Sequence, residues 1–280
     1  MYRLLAAIVA LILSPSIAHA WSQAEMNKAI EQTNFIVNGG CSGTLISVTE
    51  KLVLTNYHCI DHNITAVERE ITNAEGWVKK VKVRIYTDVA VSQNRYDGFD
   101  RTGSASYVAE IVAESKTRDL ALLRLKGSIP HTYWSPLLPL NGTVVRGEPI
   151  FSVGNPAGED ATLGSGIVSN VNRTFDFPWT AGAKLAMIQF SGGLFGGNSG
   201  GALYNANGEL IGVPAAGYRQ ATFIGFAVPV TVVRGFLKDH CFAPRGEAAF
   251  EGGKVNASAE IINDAECRKK KTAKDKDEDK

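Results

Sequence analysis

The sequence predicts an all-β fold, a sandwich or barrel or, at 280 residues, two barrels. Short apolar or alternating runs follow one another from Phe35 to Val228, and glycine or asparagine separates them. The chain has 28 glycines, which suits many tight turns, and the pattern lacks crossover helices. The predicted strands are Thr44 to Val48, Lys51 to Thr55, Val81 to Tyr86, Tyr107 to Val112, Leu120 to Leu125, Pro149 to Val153, Gly166 to Val171, Leu185 to Phe190, Ala202 to Tyr204, Glu209 to Val213 and Thr222 to Val228.

Two short helices are predicted to flank these strands. Ser22, with Glu25 three residues later, fits a capping box, which predicts an N-terminal helix to about Thr33. Apolar residues at helical spacing predict a C-terminal helix from Val230 to His240.

The charge balance argues against nucleic acid as a partner. Lys plus Arg number 29 against 28 Asp plus Glu, and Arg3 is the one charged residue in the first twenty, so the rest of the chain is neutral. Phosphate binding needs a basic surplus, and no G-x-x-x-x-G-K phosphate loop occurs. We therefore expect no nucleic-acid partner and no nucleotide cofactor.

Residues 1–20 have the pattern of a secretory signal peptide. The apolar run from Leu4 to Leu13 precedes Ala18-His19-Ala20, a small-x-small cleavage pattern. The run is shorter than the roughly 20 residues that span a bilayer. We expect cleavage after Ala20, export to the periplasm or the medium, and no membrane contact in the mature form.

The four cysteines are expected to form disulfides, because an exported protein meets an oxidising compartment. Cys41, Cys59, Cys241 and Cys267 contain no C-x-x-C pair that would indicate zinc or redox chemistry. Three pairings are possible, and proximity in sequence favours Cys41 with Cys59 and Cys241 with Cys267. Buried free thiols are the alternative.

Three residues at predicted strand ends form a candidate catalytic set. Ser199 lies within Gly196-Gly197-Asn198-Ser199-Gly200-Gly201, His58 follows one predicted strand, and Asp119 precedes another. A serine hydroxyl needs an imidazole to accept its proton and a carboxylate to orient that imidazole. Backbone N–H groups must also face the developing oxyanion, and Gly197 and Ser199 can supply them. Each residue alone is weak evidence, but the three together favour nucleophilic catalysis.

The chain resembles the trypsin-fold serine endopeptidases, in particular the HtrA/Deg-like branch. The resemblance spans about residues 35 to 240 and implies two six-stranded β-barrels with the active site between them, polypeptide substrates and no cofactor. It implies His58 as general base, Asp119 as orienting carboxylate, Ser199 as nucleophile, and Gly197 and Ser199 as oxyanion-hole donors. The motifs that carry it are Thr55-Asn56-Tyr57-His58, Asp119-Leu120-Ala121-Leu122-Leu123, Gly154-Asn155-Pro156-Ala157-Gly158, Gly166-Ile167-Val168-Ser169, Gly197-Asn198-Ser199-Gly200-Gly201-Ala202-Leu203, Asn207-Gly208-Glu209-Leu210-Ile211-Gly212 and Gly225-Phe226-Ala227-Val228-Pro229.

Two features depart from the family pattern. Ile36-Val37-Asn38-Gly39-Gly40 resembles the new N-terminus of an activated trypsin-type zymogen, but it lies so close to Cys41 that no first strand is expected there. Asn198 stands where such an N-terminus would pair with an aspartate, so activation by that salt bridge is not expected. About forty largely polar residues follow the last helix, so no PDZ domain is expected there.

The expected organisation has four parts. Residues 1–20 are the signal peptide, and 21–240 form the protease domain with its two barrels. Residues 241–267 form a disulfide-closed extension, and 268–280 form a charged, disordered tail. The oligomeric state stays open.

The primary specificity pocket is expected to accept small or medium apolar side chains. By the family resemblance, Gly193 and Leu194 form one wall and Ala215, Ala216 and Gly217 the other. From Phe177 to Gly208 the sequence has no acidic residue that could neutralise a bound Arg or Lys side chain.

Three alternative functions fit parts of the sequence. Gly197-x-Ser199-x-Gly201 fits the nucleophile elbow of α/β-hydrolases, an esterase reading, but that fold has the order serine, acid, histidine. A catalytically inactive binding protein could keep the same fold. Metal catalysis has little support, because His58, His62, His131 and His240 lack the H-E-x-x-H spacing.

Overall fold

The structure is a computed structural model that describes residues 33–72, 75–97, 100–130, 144–159, 161–180, 182–218, 220–245, 249–251, 254–256, 260–269 and 271, with Ser22 and Ala24. The predicted signal peptide lies outside these residues, as does most of the predicted helix from Ser22 to Thr33. No helix of the described part of the chain is long and apolar enough to cross a membrane.

In the described part of the chain, fourteen strands precede the C-terminal helix. They are β1 (Asn34–Val37), β2 (Cys41–Ser47), β3 (Leu52–Thr55), β4 (Ile64–Thr72), β5 (Val78–Tyr86), β6 (Val89–Asp97), β7 (Asp100–Ser115), β8 (Leu120–Leu125), β9 (Pro149–Gly154), β10 (Thr162–Asp176), β11 (Lys184–Ser191), β12 (Ala202–Asn205), β13 (Leu210–Tyr218) and β14 (Ala221–Pro229). Helix α1 (Val230–Asp239) follows, and then the short strands β15 (Phe242–Arg245), β16 (Ala249–Glu251), β17 (Lys254–Asn256) and β18 (Glu260–Asn263).

Two closed six-stranded β-barrels form the body of the fold, as the family resemblance predicts. The first has the order β1-β2-β3-β8-β7-β6, and the second has the order β10-β11-β14-β13-β12-β9. Strands β4 and β5 form a separate two-stranded sheet, so the predicted strand from Val81 to Tyr86 lies outside both barrels. The α/β-hydrolase alternative is excluded, because that fold requires a parallel sheet with crossover helices.

The expectation that no first strand precedes Cys41 is wrong. Residues Asn34–Val37 form β1, which pairs with β2 through Ile36 and Ser42 and with β6 through Ile36 and Ser92. Four residues are enough for this strand, because Phe35 and Val37 on one side of it fill the interior of the first barrel.

Strands β3 and β8 are buried on both faces, which explains their continuous apolar sequences. Val53 and Leu123 point into the interior of the first barrel, while Leu54 and Leu122 pack in the cluster that contains the second barrel and α1. The two strands are antiparallel partners, with Thr55 opposite Ala121. The end of β3 and the start of β8 therefore meet at the boundary between the barrels.

Two disulfides join the cysteines in the pairing that sequence proximity favours, Cys41 with Cys59 and Cys241 with Cys267. The second holds the chain after β18 against the end of α1. Arg268 then lies 5.2 Å from the centroid of the Phe242 ring, and its Nε donates to Asn263 Oδ1 at 2.6 Å.

A short helical segment surrounds this disulfide. Residues 265–269 are helical, and Arg268 N donates to Asp264 O at 3.1 Å. The disulfide at Cys267 keeps Arg268 within reach of Phe242. Residues 272–280 lie outside the described part, so the predicted charged tail stays a prediction.

An ion pair connects the turn before β8 to the end of α1. Arg118 Nη2 donates to Asp239 Oδ2 at 2.5 Å, and this hydrogen bond lowers the pKa of Asp239. Because the folded-state pKa is depressed, the pair stabilises the fold above the unfolded pKa of the carboxyl group, and this contribution is lost as the pH falls through the folded value.

We predict that Asp239→Asn lowers the free energy of unfolding at pH 7 by about 0.5 kcal/mol, a small value because both side chains are partly exposed. The difference from wild type should disappear in acid, where Asp239 is protonated. Urea denaturation of both proteins at pH 7 and in acid measures this difference in the free energy of unfolding. Glu70→Gln, which removes a more exposed pair with Lys80 at 4.0 Å, is the control. An equal loss at both pH values would contradict the prediction.

Candidate active site

His58 and Asp119 form a hydrogen-bonded pair where β3 ends and β8 begins. The His58 Nδ1 atom lies 2.9 Å from Asp119 Oδ2 and 3.0 Å from Oδ1, and the His58 backbone N–H donates to Oδ1 at 3.1 Å. Asp119 is 1% exposed, whereas the His58 side chain is 22% exposed. A buried carboxylate thus holds one edge of an imidazole that solvent can reach.

The backbone of Asp119 adopts a left-handed conformation, with φ 51° and ψ 46°. Non-glycine residues rarely adopt it, and it persists where neighbouring groups fix it. Asn56, which is fully buried, donates from Nδ2 to Asp119 O at 2.8 Å. The same short segment therefore supplies the histidine and a donor that fixes the aspartate backbone.

Ser199 lies in a turn of the second barrel and faces the first barrel. Its carbonyl accepts from Ser42 N at 2.7 Å, and the Cys59 sulfur lies 3.7 Å from the same oxygen. Because Cys59 follows His58 directly, Ser199 is held beside the histidine turn. The Ser199 hydroxyl donates to Ala215 O at 3.4 Å.

Close packing of the barrels explains the glycine after Ser199. Gly200 has φ +85°, and a Cβ atom there would lie 2.1 Å from Ser42 O and 2.2 Å from Thr55 Oγ1. Only glycine allows this left-handed backbone to approach the first barrel so closely.

Gly197 and Ser199 each keep a backbone N–H available. Within the described residues, neither N–H donates a hydrogen bond. Gly197 has φ +106°, and a Cβ atom there would lie 2.1 Å from Asn155 O, so this turn also requires glycine. Available N–H groups on either side of Asn198 are suited to bind an anionic oxygen.

Leu194 and Gly217, which are predicted to line opposite walls of the specificity pocket, lie in contact. Leu194 is buried, its N–H donates to Thr222 O at 2.8 Å, and its Cδ2 lies 3.2 Å from the position of a Cβ atom on Gly217. Ala215 is buried beside Ser199. The side chain of Leu194 therefore contacts the opposite wall, which makes this a narrow apolar region.

One group of described residues has the geometry of a metal site, but its chemistry does not suit one. Ligand atoms of Cys41, His58 and Cys59 lie within 4.8 Å of one another. Both sulfurs are joined in a disulfide, so they cannot act as thiolate ligands.

Sequence reasoning missed Ser42 and assigned no role to Asn155. Both are buried next to the Ser199 turn, and Ser42 Oγ donates to Gly197 O at 2.7 Å. Asn155 belongs to the motif Gly154-Asn155-Pro156-Ala157-Gly158, which supported the family resemblance but indicated no role for this residue. Nothing in the sequence marked Ser42, because its contacts come from a different barrel.

Residues 41–213 match the family model described as a trypsin-like peptidase domain. This match covers more than half of the chain. The chain belongs to this family. Proteins described as HtrA-like or HtrA-type are among those it is similar to.

Curated relatives include an Arabidopsis thaliana protein, "Protease Do-like 1, chloroplastic", which is 30% identical over 136 residues. A Staphylococcus aureus "Serine protease HtrA-like" protein is 34% identical over 146 residues. These alignments cover 47% and 49% of this chain. The chain spans only 30% and 19% of those two relatives.

Solved structures share the fold. The HtrA-type protease AlgW with a tripeptide has a TM-score of 0.54 and 23% identity, covering 76% of this chain and 62% of that one. The serine endoprotease from Yersinia pestis has a TM-score of 0.54 and 20% identity, covering 78% of this chain and 69% of that one.

We predict that Gly200→Ala separates the Ser199 turn from the first barrel. The left-handed backbone costs an alanine about 1–2 kcal/mol, and the overlap with Ser42 O adds about 1–3 kcal/mol. The melting temperature should fall by roughly 5–15 °C. Gly235→Ala in α1 is the control, since a Cβ atom there meets nothing within 4 Å and should leave stability unchanged or raise it. Equal melting temperatures for the two variants would contradict the packing argument.

Proposed function

We propose that this chain is a serine endopeptidase in which Ser199, His58 and Asp119 act as a catalytic triad. The observation that carries the proposal is the buried Asp119 carboxylate bonded to His58 Nδ1 beside the Ser199 turn. Membership of a peptidase family supports it.

The geometry suggests how the groups would act. Because the Asp119 carboxylate accepts a hydrogen bond from His58 Nδ1, that nitrogen carries the imidazole proton. The other ring nitrogen, Nε2, can then accept a proton from the Ser199 hydroxyl. The hydroxyl must first turn away from Ala215 O. Its oxygen then attacks the scissile carbonyl and forms a tetrahedral intermediate, whose oxyanion the Gly197 and Ser199 N–H groups bind.

The intermediate then collapses to an acyl-enzyme. His58 returns the proton to the leaving amine, and a water molecule, deprotonated by the same imidazole, releases the acyl group. This chemistry is complete with side chains and backbone groups, so the proposal includes no cofactor.

The proposed substrates are polypeptides with a small or medium apolar residue before the cleaved bond. The contact between Leu194 and Gly217 supports this, because it leaves little width for a long side chain. We further propose that residues 1–20 direct export and that the enzyme acts in the periplasm or the medium.

The test is labelling with an activated-serine phosphonate probe. Wild type should react, while Ser199→Ala should lose labelling. Ser165→Ala is the matched control, because Ser165 is also flanked by glycines but lies in β10. Labelling should also fall on acidification, because a protonated imidazole cannot accept the Ser199 proton.

Unchanged labelling in Ser199→Ala would refute the nucleophile. An unreactive wild type whose fold is intact would instead support an inactive binding protein with this fold.

We predict that a peptide library is cleaved mainly after Ala, Val or Leu. Leu194→Ala should shift the preference towards larger apolar residues such as Phe, because the pocket widens, with a change of about 10-fold in relative kcat/KM. Mass spectrometry of the cleavage products measures both profiles. Cleavage mainly after Arg or Lys would contradict the proposed pocket.

A further inference from the structure

Ser42 joins the two barrels at the turn that carries the nucleophile candidate. It is fully buried in β2 of the first barrel. Its N–H donates to Ser199 O at 2.7 Å, and its carbonyl accepts from Thr55 Oγ1 at 2.7 Å. Its hydroxyl has three further partners in the second barrel.

The three hydrogen bonds with the second barrel, two from Asn155 and one to Gly197, fix the direction of the Ser42 hydroxyl proton. Asn155 donates to Ser42 Oγ twice, from its backbone N at 2.8 Å and from Nδ2 at 2.9 Å. A hydroxyl has two acceptor lone pairs and one proton. Both lone pairs are used by Asn155, so the proton must go to Gly197 O, which lies at 2.7 Å.

Asn155 is in turn held by the first strand. Its Nδ2 also donates to Phe35 O at 3.0 Å, and its Oδ1 accepts from Asn34 Nδ2 at 2.8 Å. The Asn34 and Phe35 contacts come from β1, so the orientation of the Asn155 amide depends on the first barrel.

The peptide groups on both sides of Gly197 are fixed as a result. The Gly197 carbonyl is bound by Ser42, and the Gly196 carbonyl accepts from Ala157 N at 2.6 Å. In a trans peptide the N–H points opposite to the carbonyl. The bond from Ala157 therefore points the Gly197 N–H away from the 155–158 loop.

We propose that Ser42 and Asn155 are positioning residues for the backbone of Gly197. Ser42 binds the carbonyl of the Gly197–Asn198 peptide, and Ala157 binds the carbonyl of the preceding peptide, which carries the Gly197 N–H. With both peptides held, the Gly197 N–H keeps the orientation that an oxyanion hole requires. This inference rests on the proposed function. It adds that a hydroxyl of the first barrel anchors the peptide next to a donor of the second barrel, in addition to the histidine and aspartate that the first barrel supplies.

The test compares two serines of the same strand. Ser42→Ala removes the donor to Gly197 O, whereas Ser47→Ala removes another fully buried hydroxyl of β2, which accepts from Glu50 N at 3.1 Å. Each variant is reacted with the phosphonate probe over a concentration series, which separates the maximal labelling rate from probe affinity. Circular dichroism identifies a temperature at which each variant is folded, and labelling is measured at that temperature.

We expect Ser42→Ala to lower the maximal labelling rate about 10–100-fold, because a small displacement of a transition-state donor has effects of this size. Probe affinity and the pH midpoint of labelling should stay unchanged, since the pocket and His58 are intact. Ser47→Ala should label at the wild-type rate even where its melting temperature falls.

If Ser42→Ala does not fold, Asn34→Ala is the second variant, because it removes the hydrogen bonds between Asn34 and Asn155 while Ser42 and Phe35 still hold Asn155. It should lower the maximal rate by about threefold or more without changing probe affinity. Equal rates for wild type and the folded test variant would overturn the inference while leaving the proposed function intact. A wild type that does not react, or labelling that survives Ser199→Ala, would overturn the proposed function first.

Discussion

The packing of β3 and β8 between the two barrels is the constraint on which the rest of the structure depends. Apart from Thr55 and Arg124, both strands are apolar on both faces, so one face fills the first barrel and the other joins the cluster of the second barrel. Burial on this scale is favourable only if the barrels stay in contact. His58 and Asp119 lie at the ends of these strands, so the stability of the interface and the geometry of the site have one cause.

The Ser199 turn is held by the same interface rather than by its own barrel alone. Ser42 binds Ser199 through its backbone and Gly197 through its hydroxyl, and Gly200 packs against Ser42 and Thr55. The glycines of this turn therefore have separate physical roles. Gly197 accommodates Asn155, while Gly200 accommodates the first barrel. A motif that the sequence shows only as glycine-rich is, in the folded chain, closely packed on two sides.

The sequence predicted the features that depend on local pattern. The continuous apolar runs around Leu54 and Leu122 indicated strands, and the helix at Val230 was visible from its spacing. Strand β1 was missed because its four residues resemble a processing site, and β6 was missed because its polar residues, such as Gln93, obscure the alternation. The contact of Arg268 with Phe242 could not be predicted from the charge pattern, because it depends on the disulfide at Cys267.

The residues of the candidate site also fall into those that the sequence predicted and those that it did not. Ser199, His58 and Asp119 were found because their residue types and flanking motifs are specific. Ser42 and Asn155 were not assigned roles, because a serine and an asparagine acquire theirs only through hydrogen bonds to residues far away in sequence. Roles that depend on contacts between distant segments are the ones that a single sequence does not reveal.

A crystal structure of the phosphonate adduct tests the central claim most directly, since that claim is that the two barrels together form one preorganised site. We predict a covalent bond from Ser199 Oγ to phosphorus, with a phosphoryl oxygen about 3 Å from the N–H groups of both Gly197 and Ser199. Ser42 Oγ should still bind Gly197 O, and His58 should still bind Asp119. A phosphoryl oxygen that points to solvent, or an adduct on another residue, would contradict the account.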